Sequence, residues 1–157
     1  MMNKKDIKKI LVPVTLGENS KRLLSFAIEF AKAFDARIKA IHVVHDFADY
    51  TLLPFPLDAL SELKNSFIEE AQQRLDEMLN DIVKDKEDIV ETQVLIGDAV
   101  IEILEFSKEY NPDLIIMGTK THKGFEKLIY GSVAQGVFSK SSVPVMLVNP
   151  EGKIPVS

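Results

Sequence analysis

Five short apolar runs set the limits on what this chain can fold into, because none is followed closely enough by the next to close a hairpin. They are Ile10-Leu11-Val12-Pro13-Val14, Ile38 to Val44, Ile89 to Ile96, Leu114-Ile115-Ile116-Met117 and Val143 to Val148. Each has strand length, and each gap but one carries apolar residues at helical spacing. The first gap has Leu23, Leu24, Ala27, Ile28, Ala31 and Phe34 behind the cap candidates Glu18-Asn19-Ser20. The second gap opens with Pro54 and Pro56, which block early helix entry. Leu57, Leu60, Leu63, Phe67, Ala71, Leu75, Met78 and Ile82 then mark one face of a long helix ending near Asp85. Gly97-Asp98 reads as a turn with Asp98 as N-cap, and Val100, Ile101 and Leu104 carry a helix to about Tyr110, where Asn111-Pro112 stops it. Gly118 to Tyr130 reads as a loop with a short helical piece, and Gly131-Ser132 opens a last helix to about Lys140. The order β-α-β-α-β-α-β-α-β requires parallel strands joined by crossovers, hence a single doubly wound α/β domain with helices on both faces. Its bounds are residues 1–149, with 150–157 as a short C-terminal tail.

Composition narrows the functional classes. The chain has 157 residues, a net charge of −5 and no cysteine. The missing thiols exclude disulfides, thiolate zinc sites and cysteine nucleophiles. The acidic balance argues against general nucleic-acid binding, which needs Lys and Arg to displace counterions from phosphates. The longest apolar runs are four to seven residues, far below the roughly 20 of a membrane span. With no readable leader, the expected location is cytoplasmic, with no membrane partner.

In a parallel sheet, ligands collect at the carboxyl ends of strands beside the point where strand order reverses. The ends on offer are Val14-Thr15-Leu16-Gly17, Val43-Val44-His45-Asp46, Gly97-Asp98 and Gly118-Thr119-Lys120. Gly131 at a helix start lets an anion approach the backbone, with the Ser132 and Val133 amides and the positive helix end behind it. Lys120, His122, Lys123 and Lys127 face a single acid, Glu126, in the intervening loop. The same composition also suits a solvated surface loop. His42, His45 and His122 lack a metal-ligand spacing, and the neighbours His45-Asp46 point to opposite faces of a strand. Gly131-Ser132-Val133 lacks the second glycine of a nucleophile elbow, and Val14-Thr15-Leu16 lacks the acid pair of a phosphoacceptor domain.

Gly118-Thr119-Lys120-Thr121, nine further residues, and then Gly131-Ser132-Val133 resemble the glycine-rich motif of the universal stress protein family. Lys9 to Val14 and Ile41-His42-Val43-Val44 resemble that family's first two strands. Asp113 to Gly118 and Ser142 to Val148 resemble its last two, so the likeness runs over about residues 8 to 149. It implies a five-stranded sheet in the order 3-2-1-4-5 and a homodimer. In nucleotide-binding members, Gly118, Gly131, Ser132 and Val133 match the residues around the phosphates, with Lys120 and His122 as helpers. Pro13, Val14 and Val43 match those near adenine, and Met117 and Thr15 lie at the adjoining strand ends.

The chain departs from that pattern twice. Thr121 stands at the motif's second glycine, and Thr15 where nucleotide binders carry an aspartate. The resemblance therefore implies a regulator that binds ATP or ADP, alone or with Mg²⁺, and no residue stands out as a base for efficient hydrolysis. The alternative is a member that binds no nucleotide and acts as a dimeric protein-interaction module. A third and weaker option is a nucleotide-dependent enzyme of the wider α/β class. Pro144 within the last run favours an edge strand. An apolar edge of Val143, Val145 and Leu147 calls for a partner, and a second copy of the chain supplies one.

Overall fold

The computed structural model describes residue 3 and residues 6–46, 56–83, 88–119 and 131–153. Nine elements follow in the order β1 (Lys9–Pro13), α1 (Glu18–Phe34), β2 (Arg37–His45), α2 (Leu57–Ile82), β3 (Val90–Gly97), α3 (Ala99–Tyr110), β4 (Leu114–Gly118), α4 (Ser132–Lys140) and β5 (Val145–Val148). All strand pairs are parallel and the sheet order is β3-β2-β1-β4-β5. This is the doubly wound α/β fold, with β1 in the middle.

The period-two alternation of the inner strands divides the core. Ile10, Val12, Ile38, Ala40, Leu114 and Ile116 face α1 and α2, meeting Leu24, Ala27, Ile28, Leu75 and Met78. Leu11, Ile41, Ile115 and Met117 face the other way, against Ile103 of α3 and Ala134 and Val137 of α4. Strands covered on both sides read as unbroken apolar runs for this reason. β3, at one edge, has a wetter pattern, and Glu91 there meets Lys39 of β2 at 2.8 Å. The Lys39 ammonium holds the Glu91 carboxyl below the usual carboxylate range. Asp113 anchors the start of β1, its carboxylate accepting from the Lys8 and Lys9 amides at 2.8 and 2.9 Å.

Several boundaries differ from the sequence reading for identifiable reasons. α1 starts on Gly17, which has no side chain to cap with, and Ser20 lies inside the first turn, its Oγ accepting from the Thr15 amide. α2 ends at Ile82, earlier than Asp85. The last strand begins at Val145 and not Val143, because Ser141 Oγ bonds both the amide and the carbonyl of Val143 and folds that residue into a turn. Pro144 therefore precedes the strand, and its carbonyl accepts from the Ile115 amide at 2.9 Å. β5 is nonetheless an edge strand. Val143, Val145 and Leu147 pack inward on the α3–α4 side, so the free side of this strand is its backbone edge. Asp98 caps α3 as read, accepting from the Ile101 amide at 3.0 Å. The stretch set apart as a tail starts inside the packed body, where Pro150 is fully buried and Arg22 donates to the Gly152 carbonyl. No helix among the described residues is long and apolar enough to cross a membrane.

Gly136 sets how closely α3 and α4 approach. A Cβ at this position would lie 2.8 Å from Val100 Cγ2 and 3.1 Å from Cγ1, and the branched valine has little freedom to swing away. Gly136→Ala gains about 1 kcal/mol of helix propensity but meets an overpacking cost of about 1–3 kcal/mol. Urea unfolding is expected to show a net loss, and the Val100→Ala background to turn it into a gain. A gain in the native background would mean that the helices can move apart freely.

Candidate functional site

β1 has β2 on one side and β4 on the other, so the loops leaving β1 and β4 diverge at their carboxyl ends. A cleft of about 610 Å³ opens there, within the usual size range of small-molecule sites. Pro13, Val14, Thr15 and Gly17 come from the β1 end, and Ile41, His42 and Val43 from β2. Met117, Gly118 and Thr119 come from β4, and Gly131, Ser132, Val133 and Ala134 from the start of α4. Glu18, Asn19, Ser20 and Leu23 of α1, Ala99 and Ile103 of α3, and Pro150 complete the wall.

One end of the cleft is formed by the start of α4. Gly131 is the N-cap of this helix in an extended conformation (φ −60°, ψ 153°), and no side chain caps it among the described residues. The first amides of a helix have no partner within it, so those of Ser132, Val133 and Ala134 need acceptors from outside. Thr119, which lines the same cleft, is only 5% exposed, and its hydroxyl has no partner among the described residues. Its amide is used up on the Val148 carbonyl at 2.9 Å. A buried hydroxyl left without a partner costs about 1–3 kcal/mol. A ligand oxygen between Thr119 and the α4 terminus would satisfy hydroxyl and amides together.

The β1 end is built differently. Ser20 is 5% exposed. Its Oγ accepts from the Thr15 amide at 2.9 Å and shares a proton with Thr15 Oγ1 at 2.8 Å. Two hydroxyls brought together share one proton between them and keep a second one for an outside acceptor. The pair is thus a neutral group on which either Thr15 or Ser20 carries the spare hydrogen. Gly118 does not owe its identity to packing, since a Cβ there would make only ordinary contacts, the nearest 3.5 Å from Leu23 Cδ2.

Of the residues singled out from sequence, Pro13, Val14, Thr15, Val43, Met117, Gly118, Gly131, Ser132 and Val133 all line this one cleft. Lys120, Thr121 and His122 lie outside the described residues, as do Lys123, Glu126 and Lys127. His45 and Asp46 do not line the cleft, and Asp46 pairs instead with Lys64 of α2 at 3.3 Å. Sequence reasoning missed Ser20, His42 and Thr119 as site residues. Ser20 carried a signal, being a small polar residue among the apolar positions of α1. Thr119 belongs to the strand end Gly118-Thr119-Lys120 that the sequence marks as a candidate, while nothing local sets His42 apart, since its contact is with the distant Val14.

Comparison with known proteins gives the family and the fold. The universal stress protein family matches residues 6–149. A universal stress protein of Methanocaldococcus jannaschii is 34% identical over 149 residues, spanning 93% of this chain and 84% of that protein. The structure of the universal stress protein UspA from Lactobacillus plantarum shares the fold with a TM-score of 0.74 at 22% identity, covering 91% of this chain and 98% of that one. Two more distant universal stress protein structures contain nucleotides. One, in complex with cAMP, has a TM-score of 0.56 at 20% identity over 92% of this chain and 98% of its own. The other, from Archaeoglobus fulgidus in complex with dAMP, has 0.54 at 20% over 90% and 98%.

The Ser20 hydroxyl holds the β1–α1 loop to the first turn of α1. Ser20→Ala removes both of its bonds to Thr15 and should cost about 1–2 kcal/mol in urea unfolding. It should also speed hydrogen exchange at the Thr15 amide. Unchanged exchange at that amide would show that the loop is held by other contacts.

Proposed function

The chain belongs to the universal stress protein family, and on that premise we propose that it is a cytoplasmic stress-response regulator that binds an adenine nucleotide, ATP or ADP, without efficient turnover. The observation that carries this reading is that the buried Thr119 hydroxyl, without a partner among the described residues, and the start of α4 line one cleft of nucleotide size. Amides and hydroxyls arranged this way bind phosphate through hydrogen bonds and the helix dipole, without supplying a charged base. The apolar wall of Pro13, Val14, Ile41 and Val43 suits a base, and the Thr15–Ser20 pair between the two ends suits a ribose hydroxyl. The cAMP and dAMP complexes of the related structures support an adenine nucleotide as the ligand class. Lys120, Thr121 and His122 are assigned to the phosphates on the family motif alone. Where Mg²⁺ accompanies the nucleotide, its phosphates would supply ligands to the ion.

A second reading, a dimeric interaction module that binds no nucleotide, draws on the Thr15 hydroxyl being turned to Ser20. Both readings include a homodimer through the exposed backbone edge of β5, which needs a partner or a cover. Sedimentation at micromolar concentration should give twice the 17.6 kDa chain mass; a species of 17.6 kDa would end the dimer assignment.

Thermal melts with millimolar ATP, ADP and AMP test the nucleotide. A ligand at a hundredfold excess over Kd stabilises the folded state by about 2.7 kcal/mol, which is about 5–10 °C for a domain of this size. Thr119→Val should raise the melting temperature of the free protein, by removing an unsatisfied hydroxyl, and should reduce the shift with ATP. Gly131→Val, at a backbone geometry open to any residue, should abolish the shift by filling the phosphate position. No shift with any of the three nucleotides would favour the interaction module.

A further inference from the structure

The sheet has a second free edge, at β3, and it is longer than the one at β5. β3 spans eight residues, Val90–Gly97, against four in β5, and it pairs on one side only, with β2. The Ile38 amide donates to the Ile89 carbonyl at 2.7 Å, which fixes how the two strands face each other. In a parallel ladder a residue turns both its N–H and its C=O to the same neighbour, and successive residues alternate. Glu91, Gln93 and Leu95 therefore face β2, while Val90, Thr92, Val94 and Ile96 turn their backbone groups outward. Among the described residues none of these outward groups has a hydrogen-bond partner. Edge strands are ordinarily blunted by proline, lysine, a bulge or short length. Val90 to Gly97 contains neither proline nor lysine, and its register with β2 runs unbroken from Ile38↔Val90 to His45↔Gly97.

Carboxylates border this edge on both faces of the sheet. On the α2 side, Asp76 Oδ1 accepts from Thr92 Oγ1 at 2.7 Å. On the α3 side, Glu102 lies against Gly97, its Oε1 2.7 Å from where a Cβ would stand. Neither Asp76 nor Glu102 has a cation partner among the described residues. Glu91 is a third acid on the strand, already paired with Lys39.

We propose that the β3 edge docks an extended, basic segment of another protein, which adds to the sheet beside β3 and sets cationic side chains against Asp76 and Glu102. The outward backbone groups supply the main-chain pairing and the carboxylates select the side chains. Thr92 and Gly97 stand five positions apart, an odd number, as their neighbours on opposite faces require. The two cations of the segment are therefore five positions apart, whichever way it runs. A second copy of β3 would bring no cation to this edge, only Glu91. The proposal holds whether or not the cleft binds a nucleotide.

The test uses the ¹⁵N-labelled full chain and two end-blocked peptides, Thr-Lys-Val-Thr-Val-Thr-Lys-Thr and its counterpart with glutamate for both lysines. In the free protein, hydrogen exchange should be fast at the Thr92, Val94 and Ile96 amides and slow at those of Gln93 and Leu95. The lysine peptide should slow exchange at the first three. It should bind about 10-fold or more tightly than the glutamate peptide, since opposite charges across strands stabilise and like charges destabilise. Val94→Pro keeps the ladder to β2, because the lost amide points away from it, and should abolish peptide binding. The exchange and peptide comparisons use the native chain and do not depend on the variant folding. Slow exchange at Thr92, Val94 and Ile96 in the free protein would mean a covered edge and would overturn the proposal; dependence on protein concentration would identify a second copy as the cover. Equal binding of the two peptides, binding of neither, or binding that survives in folded Val94→Pro would overturn it as well.

Discussion

Everything in the site follows from β1 pairing in parallel with both β2 and β4. The chain leaves β1 through α1, builds β2 and β3 outward in one direction, and then returns through α3 to the other side of β1. Crossovers keep one hand whichever way they travel, so reversing the direction moves the helices to the opposite face of the sheet. α1 and α2 accordingly cover one face and α3 and α4 the other. Where the direction reverses, no crossover closes over the strand ends, and a cleft is left between the β1 and β4 loops. Its depth comes from the sheet itself, since Leu11, Ile115, Ile41 and Met117 are buried beneath it and fix its floor.

The walls differ in how their polar groups are provided for. At the β1 end the Thr15 and Ser20 hydroxyls are paired with one another, so that loop keeps its shape with the cleft empty. At the α4 end the Thr119 hydroxyl has no partner among the described residues, and the proposed nucleotide would be held there. Burial makes the contrast matter, because an unmet hydrogen bond costs most where water is excluded. His42, also in the wall, is tied to the β1 end by the contact of its Nδ1 with the Val14 carbonyl.

Most of the fold can be read from local pattern. The apolar runs at Ile10 and Leu114 and the helical spacing from Leu23 to Phe34 lie in the elements they indicate, since burial on two faces or one imposes those periods directly. The exceptions lie at boundaries where a side chain competes with the regular backbone pattern. Ser141 bonding both backbone groups of Val143 delays β5, and Ser20 lies inside the first turn of α1, where its Oγ accepts from the Thr15 amide. Side-chain bonds of this sort depend on which loop folds over which turn, and residue type alone does not reveal them.

What this sequence determines by itself is the alternation of elements, the family, and the glycine positions at Gly118 and Gly131, because periodicity and small residues act over one turn or one strand. Strand order, and with it the meeting of loops far apart in the chain, is settled only by tertiary packing. His42 comes into the site through a bond to Val14, 28 residues earlier. Thr119 is buried, its hydroxyl without a partner among the described residues, while its amide pairs with the Val148 carbonyl. A histidine or a threonine takes on such a role only when its hydrogen-bonding partners and its access to water are fixed, and both are set by neighbours that lie in other parts of the chain.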